Sequence, residues 1–437
     1  MPSIQAFRGI RYDLGHVGAL SDVIAPPYDV IDEALQDKLY AKSPYNCVRL
    51  ILNKMLPTDD EANNRYTRAA KVLKSWKEEG VLATESQPAI YVYNQEYEYD
   101  GQKILRRGFM AGLQVQRFGE GMVFPHELTH ASAKADRLML TTTTKTNLSQ
   151  IFGLYPDPQN EVQNLLDAAV ANLPPLEATD HLGVVHRLWV LTDTEVIAKV
   201  VNLMGDKPVF IADGHHRYET ACNYRDQLAQ MFGGTLAKDH PAQFVLSMFI
   251  AMDDPGLLVL PTHRLFPNAP DYDQAELLGA LGDNFEKEEE QKGIDACPAL
   301  WEDLDTGMDQ SRLALYTRKD DTWTLVKLTE AGREKMAEIT PDHNEDWQAL
   351  GVSILHKLVC ETLFQMPPAA EVKPTYVHLI SEVVDELKTG KFPMAALVMP
   401  ATVENIKTLC IAGERMPQKS TYFYPKLLSG LVFKNLE

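Results

Sequence analysis

Asp213-Gly214-His215-His216-Arg217 stands where an apolar run, Val209 to Ala212, ends and a helical pattern begins. Tyr218, Ala221, Cys222, Arg225 and Leu228 recur three or four residues apart, so the spacing predicts a helix opening just after Gly214. A glycine at such a turn lets backbone approach a ligand closely, and a helix start offers N–H groups and the positive end of the dipole. Two imidazoles and a guanidinium beside it would grip phosphate oxygens, with Arg217 able to bond two at once. The residue types therefore describe a strand–turn–helix phosphate cradle. The competing reading makes His215 and His216 ordinary surface residues at a helix start.

Other polar groups are candidates to converge on that turn. His126-Glu127-Leu128-Thr129-His130 matches HExxH, which on a helix would aim both histidines at one zinc ion. Pro125 directly before it places His126 in a loop or at a helix start, and no third ligand stands at a recognisable spacing. The segment reads instead as a polar loop whose His126 and Glu127 face a cleft, followed by a helix carrying Lys134, Asp136 and Arg137. Asp29, after Pro26-Pro27-Tyr28, either caps the next helix or meets a substrate. Arg49 lies in a strand-like run, paired on a sheet face or aimed at a ligand. Lys134, Arg137 and Lys145 flank the donor-rich Thr141 to Thr144. Met416 to Lys426 mixes polar and aromatic residues without periodicity and reads as a functional loop in which Lys419 and Ser420 line a site. There is no P-loop, no complete dinucleotide fingerprint and no GxSxG elbow, so phosphate binding rests on the Asp213 turn.

The elements that must hold these groups alternate between strand and helix. Residues 61–79 read as an amphipathic helix closed by Gly80. Residues 89–99 and 102–115 read as a hairpin turning at Asp100-Gly101. A strand at 184–191, a helix at 194–204 and the strand before Asp213 come after it, then strands at 244–252 and 257–260. After Leu265 the composition shifts, and the acidic run Glu286 to Glu290 suggests a boundary or exposed connection. A hairpin at 313–328 and a long buried helix over Trp347 to Phe364 come next. The fold class expected is mixed α/β (α+β), in three parts: 1–120, a phosphate-binding part at 121–265, and 266–437.

With 61 acidic against 42 basic residues, the net charge of −19 argues against nucleic acid or an anionic membrane surface as partner. A local basic pocket for a small phosphorylated ligand is not excluded. The N-terminal residues lack the apolar stretch of a secretory signal, and five scattered cysteines without a CxxC pair suggest reduced thiols. A cytoplasmic protein is expected; its oligomeric state is not readable.

Taken together, Phe7-Arg8-Gly9, APPYDVI from Ala25, PYNxVRL from Pro44, PHExT from Pro125, ADGHHRYETA from Ala212, PTHR from Pro261 and MPxKSTYFYPK from Met416 resemble the family filed as domain of unknown function 1015. The motifs run in order along essentially the whole chain. The Asp213 turn by itself is similar to the phosphate-binding turn of the ParB/sulfiredoxin-like superfamily, in the form found in free serine kinases. That resemblance implies a ParB/sulfiredoxin-like nucleotide-binding core with additional N- and C-terminal α/β parts. It also implies that Asp213, Gly214, His215, His216 and Arg217 hold the phosphates of ATP or ADP. On this basis the expected activity is phosphoryl transfer to or from a small hydroxy amino acid, serine or phosphoserine. Arg217 would stabilise the transferring group, His216 would share its charge or shuttle a proton, and Glu127 would act as general base, with Asp29 as the other candidate. Mg²⁺ would have Asp213 or Glu127 as ligands, and Arg49, His126, Lys134, Lys419 and Ser420 would contact the substrate. Position 216 carries His where sulfiredoxins carry a reactive cysteine. A nucleotide-binding regulator without turnover and a phosphoserine phosphatase are the alternatives.

Overall fold

A computed structural model of the chain describes residues 3–368, 371 and 373–437. Its fold is mixed α/β, as the alternation of patterns indicates. Internal contacts group it into two compact units, one of Met1–Pro125, Thr129–Leu258 and Pro425–Glu437, the other of His126–Leu128 and Val259–Tyr424.

The first unit is built on a nine-stranded mixed sheet. Its order is Val123–Pro125, Val209–Asp213, Ile151–Tyr155, Phe244–Ala251, Gln102–Gln114, Ile90–Tyr99, Val185–Leu191 and Leu176–Thr179, with Ile4–Gln5 added along Gln102–Gln114. The Asp100-Gly101 hairpin forms where expected, and Phe244–Ala251 is buried along its whole length, as a central strand must be. Thr194–Met204 is a helix whose cap, Asp193, accepts from the backbone of Glu195 and Val196. A smaller sheet joins Leu82–Thr84, Gly9–Tyr12, Phe433–Asn435 and Thr146–Asn147, so the last residues of the chain pair with the first.

The second unit holds a six-stranded sheet: Phe285–Lys292, Thr322–Leu328, Arg312–Thr317, Met394–Leu397, His263–Phe266 and Thr375–Val377. Its core is a separate apolar cluster around Leu300, Trp323, Val383 and Leu397.

The main sheet takes strands from both sides of residue 120, and Pro425–Glu437 packs in the first unit. Three local expectations are revised. The run from Glu286 to Glu290 is not a connection but part of an edge strand, where exposed like charges discourage further pairing. Arg49 lies in a four-residue helix, Val48–Ile51, rather than a strand. Asn46 starts it: its amide donates to the carbonyls of Asp22 and Ile24 while its oxygen accepts from Val48 N at 3.0 Å. Residues 347–364 are not one helix either. Leu350 is extended (φ −68°, ψ 131°) and interrupts the run after the helix Glu345–Gln348, and Ile354–Leu363 winds with i to i+5 bonds.

Burial also places a cation where no carboxylate among the described residues pairs with it. Lys434 is 3% exposed, and its ammonium donates to the Pro241 carbonyl at 2.7 Å and, more distantly, to that of Asn435. Loss of hydration pushes its pKa down to about 7. Between that value and the unfolded lysine value near 10.4, the unfolded chain holds more protons, so stability should rise with pH across this window. Lys434→Met is expected to melt above the natural protein at pH 6, with the gap closing towards pH 10. Melting curves that coincide at every pH would contradict this account of Lys434.

Candidate active site

The strand Val209–Asp213 is apolar and buried until its last residue, and its register with Ile151–Tyr155 shifts between Ile211 and Asp213. That bulge skips Ala212 and leaves Asp213 opposite Phe152 as the last pair of this ladder. Gly214 comes next at φ 93°, and the helix His215–Met231 begins at once, with no side chain capping it. Only glycine suits this position. Besides the positive φ, a Cβ here would lie 3.0 Å from the guanidinium of Arg217, which folds back over the turn.

Asp213 is the hub. One carboxylate oxygen accepts from Arg217 Nη2 at 2.5 Å and the other from Lys426 Nζ at 3.0 Å. Arg217 also donates through Nη1 to the Gln150 carbonyl. Burial by itself would raise the carboxyl's pKa, but Lys426 and Arg217 outweigh it and hold Asp213 ionised far below the usual carboxylate range. Lys426 is delivered by a clamped strand of backbone. Arg106 bonds the Pro425 carbonyl, Gln95 Nε2 donates to the Lys426 carbonyl at 3.1 Å, and Gln150 Nε2 donates to that of Leu428 at 2.9 Å.

A second cluster forms around His216. The backbone N–H of His130 donates to His216 Nε2 at 2.9 Å, and the two rings stack. Nε2 therefore carries the lone pair, and the proton of the neutral ring sits on Nδ1. Burial first, then the His130 ring, hold the pKa of His216 below the ordinary value, against the opposite pull of Glu219 and Asp29. Glu219 accepts from Thr129 Oγ1 and pairs with Lys134 at 3.3 Å. His215 is buried, 2% exposed, so its ring does not face solvent.

Behind Arg217, the guanidinium of Arg137 lies over the Tyr28 ring at 3.9 Å. It donates to Asp136 at 2.6 Å and to the Ile51 carbonyl at 3.0 Å. Asp136 also takes Arg65 and, at 2.6 Å, the hydroxyl of Tyr66. Burial raises the pKa of Tyr28 despite Arg137 and Arg217, so it is a neutral donor. Asp29 lies in a single 3₁₀ turn, exposed and within electrostatic reach of Tyr28 and His216. The cap of the next helix is Asp32, not Asp29.

One unit thus gathers Asp213, Gly214, His215, His216, Arg217 and Lys134, and adds Lys426, Tyr28, Arg137, His130 and Glu219. Arg49, in the same unit, is engaged locally: it donates to the Tyr40 carbonyl at 2.9 Å and its guanidinium lies over the Tyr40 ring. The second unit holds the other expected residues. His126 is buried, with Nε2 at 3.0 Å from Thr421 Oγ1, and half-buried Glu127 forms a bridge with Met416. Lys419 is exposed in the left-handed region (φ 57°), its carbonyl accepting from Arg264 at 2.8 Å, while buried Ser420 donates to the Pro417 carbonyl. The helix after HExxH begins only at Ala131, so the pattern is not helical and lacks the spacing geometry of a zincin. Among the described residues, no three His, Cys, Asp or Glu side chains cluster as a metal site would require.

The chain belongs to the family described as proteins of unknown function, DUF1015, whose model matches residues 4–353. Among curated proteins nothing matches. Solved structures similar to it include a conserved hypothetical protein from Pyrococcus furiosus, 15% identical over 70% of this chain and 89% of that one, TM-score 0.33. A free serine kinase in complex with AMP is 13% identical over 69% of this chain and 83% of its own, TM-score 0.32. A C-terminally truncated SbnI from Staphylococcus aureus is 9% identical over 70% and 82%, TM-score 0.31. Likeness this loose transfers neither a site nor an activity.

The turn's dependence on glycine is directly testable. Gly214→Ala forces a side chain into positive φ and displaces the guanidinium from Asp213, and should cost about 1–3 kcal/mol. Urea unfolding reads it; an unchanged midpoint would mean the Arg217–Asp213 contact does not shape the turn.

Proposed function

We propose that the Asp213 turn binds the phosphates of ATP or ADP, and that the protein transfers a phosphoryl group to or from a small hydroxy amino acid, serine or phosphoserine. The observation that carries this reading is the convergence of Arg217 and Lys426 on one carboxylate at an uncapped helix start. Such a start favours anions, and two cations poised there would meet phosphate oxygens with charge-assisted bonds. The motif resemblance to free serine kinases supplies the acceptor class. In phosphoryl transfer the protein chiefly positions reactants and neutralises charge, which this set of residues suits.

Within the reading, Arg217 stabilises the transferring group. His216, neutral and protonated on Nδ1, acts as a hydrogen-bond donor or proton shuttle rather than a fixed positive charge. Glu127 is the proposed base on chemical grounds, and Asp29 is the alternative, a carboxylate within electrostatic reach of both Tyr28 and His216, where Glu219 acts more strongly on the imidazole. Mg²⁺ would come with the nucleotide's phosphates. Asp213, with both oxygens engaged by cations, would have to release one to bind metal. Lys419 and Ser420, with His126 and Lys134, are proposed substrate contacts. All five cysteines are buried thiols outside any disulfide, and the proposed location is the cytoplasm. No helix among the described residues is long and apolar enough to cross a membrane.

Calorimetric titration with ADP and ATP in the presence of Mg²⁺ tests the nucleotide half of this reading. Arg217→Ala should weaken binding at least roughly tenfold, about 1.4 kcal/mol. Equal affinity in the variant would remove the turn as the phosphate site. Binding without transfer to serine or threonine would identify a nucleotide-binding regulator, and phosphate release from phosphoserine without nucleotide would identify a phosphatase.

A further inference from the structure

Beside the turn lies a cavity of about 40 Å³, lined among others by Tyr28, Arg137, Ser149, Arg217 and Thr220. Its size admits one or two water-sized groups, not a nucleotide. Two features of its wall favour an anion. Arg137 and Arg65 share the single carboxylate of Asp136, and Arg217 shares Asp213 with Lys426, so cations outnumber carboxylates in these pairs. Thr220, 2% exposed, also leaves its Oγ1 without a hydrogen-bond partner among the described residues. A buried hydroxyl left unmade in this way costs free energy, and beside two guanidinium groups it would complete a small oxyanion site.

We infer that this cavity takes the carboxylate of the acceptor amino acid, held by Arg137 and Arg217 with the Thr220 hydroxyl as donor. The inference rests on the phosphotransferase reading and adds to it a subsite for the second substrate. The phosphates would meet the turn on the Asp213 side of Arg217, and the carboxylate would sit on the Thr220 side. Arg217 then touches both substrates, and an amino alcohol lacking a carboxylate would leave the cavity wall with its excess charge. Serine would be selected by its acid group as well as by its hydroxyl. The titratable and charged groups beside the cavity are Tyr28, Arg137 and Arg217, with Asp136 and Asp213 behind the guanidinium groups.

Equilibrium binding of L-serine to the full chain, in the presence of ADP and Mg²⁺ and read by calorimetry, tests this without requiring turnover. L-Serine should bind, and ethanolamine, which keeps amine and hydroxyl but lacks the carboxylate, should bind at least roughly tenfold more weakly. Thr220→Val should weaken L-serine about tenfold with ADP affinity unchanged, and Thr220→Ser should restore it. Ethanolamine binding as tightly as L-serine, or Thr220→Val matching the natural protein, would overturn the assignment. Inorganic phosphate weakened by Thr220→Val in place of L-serine would show a phosphate subsite and overturn it too. Loss of ADP binding or absence of transfer, with L-serine still dependent on Thr220, would instead count against the phosphotransferase reading alone.

Discussion

The constraint on which the first unit turns is a carboxylate with most of its water removed. Asp213 ends a strand whose other residues are apolar and keeps only 20% of its side chain exposed, so most of its charge must be met by protein. Arg217, one helical turn on, and Lys426, far along the chain, both meet it. Removing one partner from such a group costs far more than forming the pair gains, because the remaining charge stays buried. The position of residues 425–437 is a consequence. Their return to the first unit brings Lys426 to the turn and adds Phe433–Asn435 to the sheet that holds Gly9–Tyr12.

Neutral acceptors then fix the geometry. Arg106 is fully buried, and burial pulls its pKa down to about 10. It bonds Gln95 and the Pro425 carbonyl, and Gln95 bonds the next carbonyl, so the backbone at 425–426 is fastened to the face of the hairpin. Lys426 reaches Asp213 from a fixed base rather than a loose loop. An ammonium on a four-carbon stem is otherwise free to wander, and holding its backbone reduces the entropy lost when it pairs.

The local parts of this arrangement were legible in the chain. Gly214 after an apolar strand, with helical spacing beyond it, predicts the turn, and the helix Thr194–Met204 and the hairpin at Asp100-Gly101 arise from caps and turn chemistry. The partners of those parts were not. Asp213 and Lys426 are 213 residues apart, and no period or turn signal records such a meeting. Lys426 stands in the same aromatic segment that draws attention to Lys419 and Ser420, and nothing in residue type distinguishes which of them reaches the turn. Arg49 misled for a local reason: Val48, Leu50 and Ile51 have strand-forming character, but the Asn46 side chain starts a helix there. The run from Trp347 to Phe364 shows the limit of periodicity. Residues on both sides of the Leu350 kink are buried, so the apolar pattern continues across a break it cannot register.

A phosphate entering the turn would compete with Asp213 for Arg217 and Lys426. A dianionic group outbids a single carboxylate for two cations, yet Asp213 cannot simply be left behind in a buried site. Its pKa is low only because those cations are beside it. Once they turn to a ligand, burial would raise it, and the carboxylate would need a proton, a metal ion or a new donor. A phosphate bound at this turn would therefore be coupled to the chemical state of Asp213. The same exchange that neutralises a phosphoryl group would free an acid–base group next to it, where His216 already holds its proton on Nδ1. That coupling would give the half-buried triad a role that a purely structural ion pair would not need.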